Sequence, residues 1–231
     1  MRARARDLLA LQDKIVRCRL CPRLVAWREQ VGKTKAPRFS TDEYWAKPLP
    51  SLGDPEARLL IVGLAPAAHG GNRTGRMFAG DRSGDWLYRT LHKFGFANQP
   101  ASVSRHDDLK LTDCYITASA RCAPPQNKLL PEELHNCRPY LLQELKLLRN
   151  VCIIVALGKV GFDTLYTSFK TLEITSLPRR PEFGHGKEYA LNDRQTLIAS
   201  YHPSQQNTFT GKLTEKMFRE IFERARELAG A

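Results

Sequence analysis

The run Val-Cys-Ile-Ile-Val-Ala-Leu at residues 151–157 contains no charged side chain and ends at Gly158. Such a run predicts a strand that is buried on both faces, as in a parallel sheet. Apolar runs at 59–62, 114–118 and 196–201 predict three further strands, and helical patterns separate them. Strands that alternate with helices are typical of an α/β fold. We therefore predict a single domain with a central four-stranded parallel sheet flanked by helices on both faces.

Apolar residues at helical spacing predict helices over 3–17, 85–94, 131–148, 160–169 and 213–228. The helix at 131 begins with proline and has Glu132 and Glu133 in its first turn, which suits the helix dipole. Residues 22–55 are rich in charge, proline and aromatic side chains, and we expect an ordered but irregular segment there. Residues 171–194 are mixed and rich in turn-forming residues.

The chain is basic, with a formal net charge of +12. Residues 1–40 contain eleven Lys or Arg against three Asp or Glu, an excess of eight positive charges. This excess favours a polyanionic partner, of which nucleic acid is the commonest, over the alternative of an ordinary solvated surface. The sequence contains no apolar run of the roughly 20 residues that a membrane helix needs and no signal-peptide pattern. We expect a cytoplasmic protein with no membrane contact and with reduced thiols.

The chain has six cysteines, of which two lie in predicted strands and four in polar, proline-flanked positions. Cys114 and Cys152 are interpreted as small core residues. The other four predict a metal site with four thiolate ligands: Cys18, Cys21, Cys122 and Cys137. Zinc or an iron–sulfur cluster could occupy such a site. The second pair is separated by fourteen residues, which favours a [4Fe–4S] cluster over zinc. Either metal would hold the basic segment 1–57 to the core.

The loop GLAPAAHGGNRTGRMFAGD, residues 63–81, follows the first predicted strand. It lacks the Lys of a phosphate-binding P-loop and the glycine spacing of a dinucleotide-binding loop. Its small residues, among them Ala65, would let a flat ligand approach the backbone. Phe78 could stack on such a ring, or could pack in the core. Asp81 is the first carboxylate after the strand, and could act in catalysis or cap the next helix.

A second polar loop, YHPSQQNT, begins directly after the last predicted strand. It places His202 at the carboxyl end of that strand, with Ser204 and Asn207 shortly behind it. Ligands of parallel sheets bind at this edge, and histidine can donate or accept a proton near neutral pH. We therefore predict that the loops after the strands converge on one binding site.

Three stretches together carry a resemblance to a known family: GLAPAAHGGNRTGRMF, CAPPQNKLLPEELHNC and a strand ending in HPS. They resemble the uracil-DNA glycosylase superfamily, and most closely its iron–sulfur branch called family 5. The resemblance extends from Cys18 to about Gly211. It implies a structural [4Fe–4S] cluster and the removal of uracil and other deaminated bases from DNA, after the target nucleotide is extruded into a pocket.

The chain departs from other branches of that superfamily at residues that do chemistry. Their catalytic carboxylates correspond to Ala65 or Leu64, and a base-reading asparagine corresponds to Ala118. The family-5 pattern instead implies Asp81 as the catalytic carboxylate and Asn127 as a residue that helps hold the attacking water.

Further roles in substrate binding follow from the same resemblance. His202 would donate towards the base or its leaving-group oxygen. Ala65, Phe78, Ser204 and Asn207 would line the substrate pocket. Without a side-chain amide to read the base, we expect a range that includes hypoxanthine or xanthine besides uracil.

The sequence thus predicts a monomeric DNA repair glycosylase that acts on double- and single-stranded DNA, with residues 204–211 pushed into the duplex. Two alternatives remain. The chain could be a nucleic-acid-binding protein with a decayed pocket. It could also be a zinc-stabilised hydrolase of free nucleosides, which would need no basic surface.

Overall fold

The computed structural model describes residues 2–230, and within them the chain forms a six-stranded sheet. Its strands are β1 (Leu52–Gly53), β2 (Leu59–Gly63), β3 (Cys114–Ala118), β4 (Ile153–Leu157), β5 (Glu188–Asn192) and β6 (Gln195–Ser200). The spatial order is β1-β3-β2-β4-β6-β5. Strands β3, β2, β4 and β6 run parallel, whereas β1 and β5 pair antiparallel at the two edges.

The predicted α/β fold with helices on both faces is confirmed, but the sheet has six strands rather than four. The four predicted strands form the parallel centre, and two edge strands complete a mixed sheet. β1 is only two residues long, and four of the five residues of β5 keep some exposure. An edge strand of this kind has little apolar periodicity, so sequence patterns do not reveal it.

The helices are α1 (Arg2–Val16), α2 (Pro22–Thr34), α3 (Gly71–Thr74), α4 (Arg82–Lys93), α5 (Pro131–Leu147), α6 (Lys159–Thr171), α7 (Gln205–Phe209) and α8 (Glu215–Leu228). Short 3-10 turns occupy Pro37–Phe39 and Pro125–Asn127. The helices predicted near 3–17, 85–94, 131–148, 160–169 and 213–228 are confirmed within a few residues. No helix in residues 2–230 has the length and apolar character needed to cross a membrane.

The expectation of an irregular segment is wrong for the part that forms α2. This helix begins with Pro22 at its first position and buries Leu24, Val25 and Val31. Arg28 lies on the same buried face. A charged residue in the middle of an apolar stripe interrupts the helical pattern in the sequence, and its burial has a specific cause in the site described below.

Alternation along the central strands divides the core into two layers. In β2, Leu59 and Ile61 face one layer, and Leu60 and Val62 face the other. The first layer is closed by apolar residues of α4 and α8, and the second by those of α1, α5 and α6. Each fully buried Leu or Ile stabilises the fold by about 1.5–3 kcal/mol relative to an exposed one. Helices thus cover both faces of the sheet, and the loops that follow the parallel strands lie at its carboxyl edge.

Candidate active site and cysteine cavity

The loops that follow β2, β3 and β6 converge at the carboxyl edge of the sheet. The backbone N–H groups of Ser119 and Ala120 donate to the carbonyls of Gly63 and Leu64, both over 2.9 Å, so the second loop lies beside the first. The third loop meets the first through the rings of Phe78 and His202 described below. The predicted convergence is confirmed.

Asp81 is the N-cap residue of α4 and lies at the end of the glycine-rich loop. Its Oδ1 accepts a hydrogen bond from the backbone N–H of Gly84 over 3.0 Å. Its Oδ2 lies against Gly70, where an added Cβ atom would be only 2.2 Å away. Burial raises the pKa of the Asp81 carboxyl above its ordinary value, and the N–H groups of Gly84 and Ser83 oppose that rise. Oδ1 of Asp81 therefore caps the helix, whereas Oδ2 takes no part in the cap.

Phe78 and His202 bring the first and third loops together. Their ring centroids are 6.0 Å apart and the ring planes differ by 27°, so the rings are stacked. Phe78 has a left-handed backbone with a φ of 54°. Its ring lies over Gly63, where a Cβ would be 2.8 Å from Cζ, and its carbonyl lies against Gly84. The two glycines thus give this aromatic side chain its position at the end of β2.

His202 carries a neutral ring at physiological pH. Burial lowers the pKa of His202 to about 4. The backbone carbonyl of His202 accepts a hydrogen bond from Nδ2 of Asn207 over 2.9 Å, which fixes the loop after β6. A neutral imidazole can donate one N–H to an electron-rich oxygen without first taking up a proton.

Ser204 and Asn207 have structural contacts in the same loop. Ser204 is the N-cap of α7, and its Oγ accepts from the N–H of Asn207 over 3.3 Å. Asn207 in turn holds the His202 carbonyl. These bonds explain why the residues are polar. Their predicted contact with substrate stays a prediction, as does that of Ala65, which lies half-buried two residues after the end of β2.

Asn127 lies in the second of the three loops. It is exposed on the 3-10 turn after β3, and both Gln126 and Asn127 have left-handed backbones with φ of 53° and 57°. Within residues 2–230, the Asn127 side chain has no hydrogen bond with Asp81 or His202. Its predicted part in holding water stays a prediction.

Sequence reasoning missed Arg73, which lies in α3, within the glycine-rich loop that ends at Asp81. Its guanidinium donates to the backbone carbonyls of His69 and Gly80 and to the Asp42 carboxylate. An arginine in a basic chain gives no special signal in the sequence. Its contacts with the carbonyls of His69 and Gly80 are visible only in three dimensions.

The four cysteines predicted as ligands line one cavity: Cys18, Cys21, Cys122 and Cys137. Burial raises the pKa of Cys122 to about 12 and that of Cys137 to about 11, so the free thiols stay protonated at neutral pH. Cys114 lies fully buried in β3, as expected of a core residue, whereas Cys152, directly before β4, is only partly buried against the core. Among residues 2–230, no three His, Cys, Asp or Glu side chains come close enough together to hold a single metal ion.

Two buried arginines also line the cysteine cavity. Nη1 of Arg28 donates to Sγ of Cys122 over 2.8 Å, and Asn136 donates to Sγ of Cys21 over 3.5 Å. Arg28 and Arg121 are 2% and 1% exposed, and the Nε atom of each has no partner among the described residues. Arg121 is neutralised by the buried carboxylate of Glu144, so Arg28 is the buried cation that faces a sulfur ligand, and it suits a group of net negative charge. This contact is also the reason why α2 buries Arg28.

Comparison with known proteins decides the family. The model of the uracil DNA glycosylase superfamily matches residues 50–226. The chain belongs to this superfamily. It is 49% identical over 225 residues to the type-5 uracil-DNA glycosylase of Thermus thermophilus, covering 97% of this chain and 99% of that protein. It is 42% identical to the type-5 uracil-DNA glycosylase of Pyrobaculum aerophilum, covering 94% and 92%.

A more distant relative is the type-4 uracil-DNA glycosylase of Archaeoglobus fulgidus, which is 29% identical over 79% of this chain and 82% of that protein. The resemblance deduced from the three motifs is therefore confirmed. The higher identity to the type-5 proteins agrees with the departures at Leu64, Ala65 and Ala118.

Proposed function

We propose that this protein is a DNA glycosylase that hydrolyses the N-glycosidic bond of uracil in DNA and leaves an abasic site. The observation that carries the proposal is the placement of Asp81, Phe78 and a neutral His202 at one edge of the sheet. Membership of the superfamily supports the same reaction. Repair of deaminated bases in DNA is the process that this reaction would serve.

The reaction breaks the bond between C1′ of the sugar and the base nitrogen, and the electron pair leaves with the base. The sugar develops oxocarbenium character, which the Asp81 carboxylate would stabilise electrostatically. Asp81 would also orient the water whose oxygen bonds to C1′, and the proton of that water would pass to the carboxylate or to solvent. The raised pKa of Asp81 makes the carboxylate a stronger base than an exposed one.

His202 would stabilise the departing base. Its pKa of about 4 keeps the ring neutral, so it would donate a hydrogen bond to the base oxygen rather than a full proton. Phe78, stacked with His202, would support the face of the extruded base. With Ala118 at the position of the relatives' base-reading asparagine, we propose that hypoxanthine or xanthine is released as well as uracil.

A [4Fe–4S] cluster is the group that we propose for the cysteine cavity, with Cys18, Cys21, Cys122 and Cys137 as ligands. A single zinc ion needs four sulfurs within about 2.3 Å of one point, whereas the iron atoms of a cluster are spread over a larger volume. Sulfurs that line one cavity without converging on one point suit the cluster better. When bound, the cluster would act as a structural link.

DNA is the proposed partner, and the third loop provides the surface that would enter it. Phe209 in α7 is 69% exposed, and the guanidinium carbon of Arg82 lies 4.4 Å from its ring centroid. An exposed aromatic ring beside a cation suits insertion between bases next to a phosphate backbone. We propose that α7 fills the gap left by the extruded nucleotide.

The direct test is base release from duplexes that contain one uracil, hypoxanthine or xanthine. The wild-type protein is expected to release uracil and at least one of the purines. Asp81→Asn keeps the size of the side chain and its cap to α4, and is expected to lose at least about 100-fold in rate because the charge is absent. Its DNA affinity should stay within about threefold of wild type.

The outcomes separate the candidate functions. An inactive wild-type protein that binds DNA would favour a binding protein over an enzyme. Release from mononucleosides by a colourless protein would favour a nucleoside hydrolase. Full activity of Asp81→Asn would remove Asp81 from the mechanism.

A further inference from the structure

Arg73 lies within the proposed catalytic loop, and its guanidinium donates hydrogen bonds to three different residues. Its Nε donates to the His69 carbonyl over 2.8 Å, its Nη1 to Asp42 over 2.6 Å and its Nη2 to the Gly80 carbonyl over 3.3 Å. The guanidinium carbon lies 3.8 Å from the ring centroid of Phe39. The side chain is only 13% exposed. Three acceptors and an aromatic ring therefore fix the plane of this guanidinium.

The two carbonyls that Arg73 holds belong to the residues directly before Gly70 and directly before Asp81. His69 precedes Gly70, whose backbone lies against Oδ2 of Asp81. Gly80 precedes Asp81 itself, and a Cβ at Gly80 would be 2.4 Å from Nη2 of Arg73. Arg73 therefore joins the part of the loop at His69 to the part at Gly80, and both parts lie next to the Asp81 carboxylate.

Arg73 is itself held by the N-terminal part of the chain. Its backbone carbonyl accepts from the N–H of Trp45 over 2.9 Å, and the Asn72 carbonyl accepts from the N–H of Ala46 over 3.0 Å. Nδ2 of Asn72 donates to the carbonyl of Arg28 over 3.3 Å. Residues 28–46 therefore hold the α3 part of the loop through Asn72 and the backbone of Arg73.

We propose that Arg73 is a positioning residue that holds Asp81 in the orientation needed for base release, an inference that rests on the proposed function. The same bonds could stabilise the fold alone. The two roles differ in their consequences, because a misplaced carboxylate slows the chemical step even in protein that is fully folded and bound to DNA.

The charge of Arg73 supplies a second, independent readout. Two charged groups act on the carboxyl of Asp81: Asp85 raises its pKa and Arg73 lowers it, besides the effects of burial and of the N–H groups. Removing the charge of Arg73 should therefore raise the pKa of Asp81. The acid limb of the pH–rate profile would then move to higher pH, because Asp81 must be ionised to act.

The experiment compares Arg73→Ala, Arg73→Lys and a matched control, Arg58→Ala. Arg58 precedes β2 at the opposite edge of the sheet and also bonds an aspartate, Asp113, and a backbone carbonyl, that of Ala229. For each variant, we would measure the single-turnover rate of uracil release with saturating enzyme, the DNA Kd, the pH profile and the midpoint of urea unfolding.

Arg73→Ala is expected to lose about 10- to 100-fold in single-turnover rate, since small misplacements of catalytic groups cost this much. Its Kd should stay within about threefold of wild type, and its acid limb should move to higher pH. Arg73→Lys should keep the wild-type acid limb but recover only part of the rate, because one ammonium group cannot reach all three acceptors. Arg58→Ala should lose stability and keep the rate.

A second variant, Asp42→Asn, removes the charged anchor of Arg73 without touching the guanidinium, and should slow release by a smaller factor. If Arg73→Ala and Asp42→Asn keep the wild-type rate, or if Arg73→Ala slows release no more than Arg58→Ala does, the inference is overturned while the proposed function stands. Full activity of Asp81→Asn would also overturn the inference, because Asp81 would then not be a catalytic group that needs positioning. An inactive wild-type protein would overturn both.

Discussion

Asp81 uses its two carboxylate oxygens for different contacts. Oδ1 accepts from the N–H of Gly84 and caps α4, whereas Oδ2 lies against Gly70. The capping and catalytic roles considered from the sequence are therefore compatible within one side chain. The helix fixes the carboxylate, and the glycine leaves room for it. A carboxylate held in this way needs little reorganisation as positive charge develops on the sugar.

The depressed pKa of His202 predicts a specific dependence of stability on pH. The unfolded ring takes up a proton near pH 6.5, and the folded ring only near pH 4. The unfolded state therefore binds more protons between these values, and His202 destabilises the fold as the pH falls through this window. From pH 7 to pH 5 this costs up to about 2 kcal/mol of unfolding free energy.

Replacing His202 by Gln should remove this part of the pH dependence. Urea unfolding at pH 7 and pH 5 would show a smaller loss for His202→Gln than for wild type, whatever the absolute stability of the variant. His92→Gln, at an exposed position of α4, serves as the control and should behave as wild type does. Equal losses for His202→Gln and wild type would contradict the assigned pKa.

At the scale of elements, the sequence predicts the strands and helices whose buried faces show a periodic pattern of apolar residues. The four central strands and the long helices are recoverable because each presents a buried face made of apolar residues. Helix α2 is missed because Arg28 lies in its buried face, and β5 because an edge strand keeps exposed positions. Local residue types do not reveal such exceptions, since contacts with distant parts of the chain cause them.

The site shows the same division. Asp81, Phe78 and His202 each follow from a motif at the end of a strand, and the structure brings them to one edge of the sheet. Arg73 does not follow from the sequence, because its acceptors are mostly backbone carbonyls. Carbonyl positions depend on how the loop closes, which residue types alone do not specify.

Helix α7 carries a prediction about substrate form. If Phe209 enters the duplex to hold the extruded nucleotide, Phe209→Ala should slow uracil release from double-stranded DNA by about 10-fold. Single-stranded DNA has no stacked partner strand to hold apart, so the rate of uracil release from it should change less than about twofold. Single-turnover rates on matched single- and double-stranded oligonucleotides would measure both effects.

A matched control for that variant is Leu9→Ala, which removes another exposed apolar side chain from α1. It should leave both rates unchanged. Equal slowing of Phe209→Ala on the two substrates would show that α7 acts in general DNA binding rather than in base extrusion.

At the scale of the whole molecule, α2 connects the cysteine cavity to the proposed active site. Arg28 donates to Sγ of Cys122 with its side chain and accepts from Nδ2 of Asn72 with its backbone carbonyl. Asn72 is next to Arg73, which holds the loop around Asp81. Contacts in the cavity therefore fix the position of α2, and α2 in turn contacts the loop that contains Asp81. A structural cluster placed here would also support catalysis.

Loss of a cluster ligand tests this connection. Cys137→Ser replaces one of the four proposed ligands, and the purified variant is expected to lack the iron, the sulfide and the brown colour that the proposed cluster would give the wild-type protein. Because the cavity would lose a group that joins α2 to α5, the unfolding temperature should fall by on the order of 10 °C, which corresponds to a few kcal/mol in a domain of this size. Cys152→Ser, outside the cavity, should keep the iron and lose little stability.

The expected defect of Cys137→Ser in base release is larger than its unfolded fraction explains, because the loop around Asp81 would relax with α2. Single-turnover release at a temperature where the variant is still folded would measure this. A folded variant without iron that keeps the wild-type rate would contradict the coupling through Arg28, although not the cluster itself. A wild-type protein that holds zinc in place of iron would contradict the cluster. The coupling through α2 and Arg28 would then depend on the smaller zinc ion.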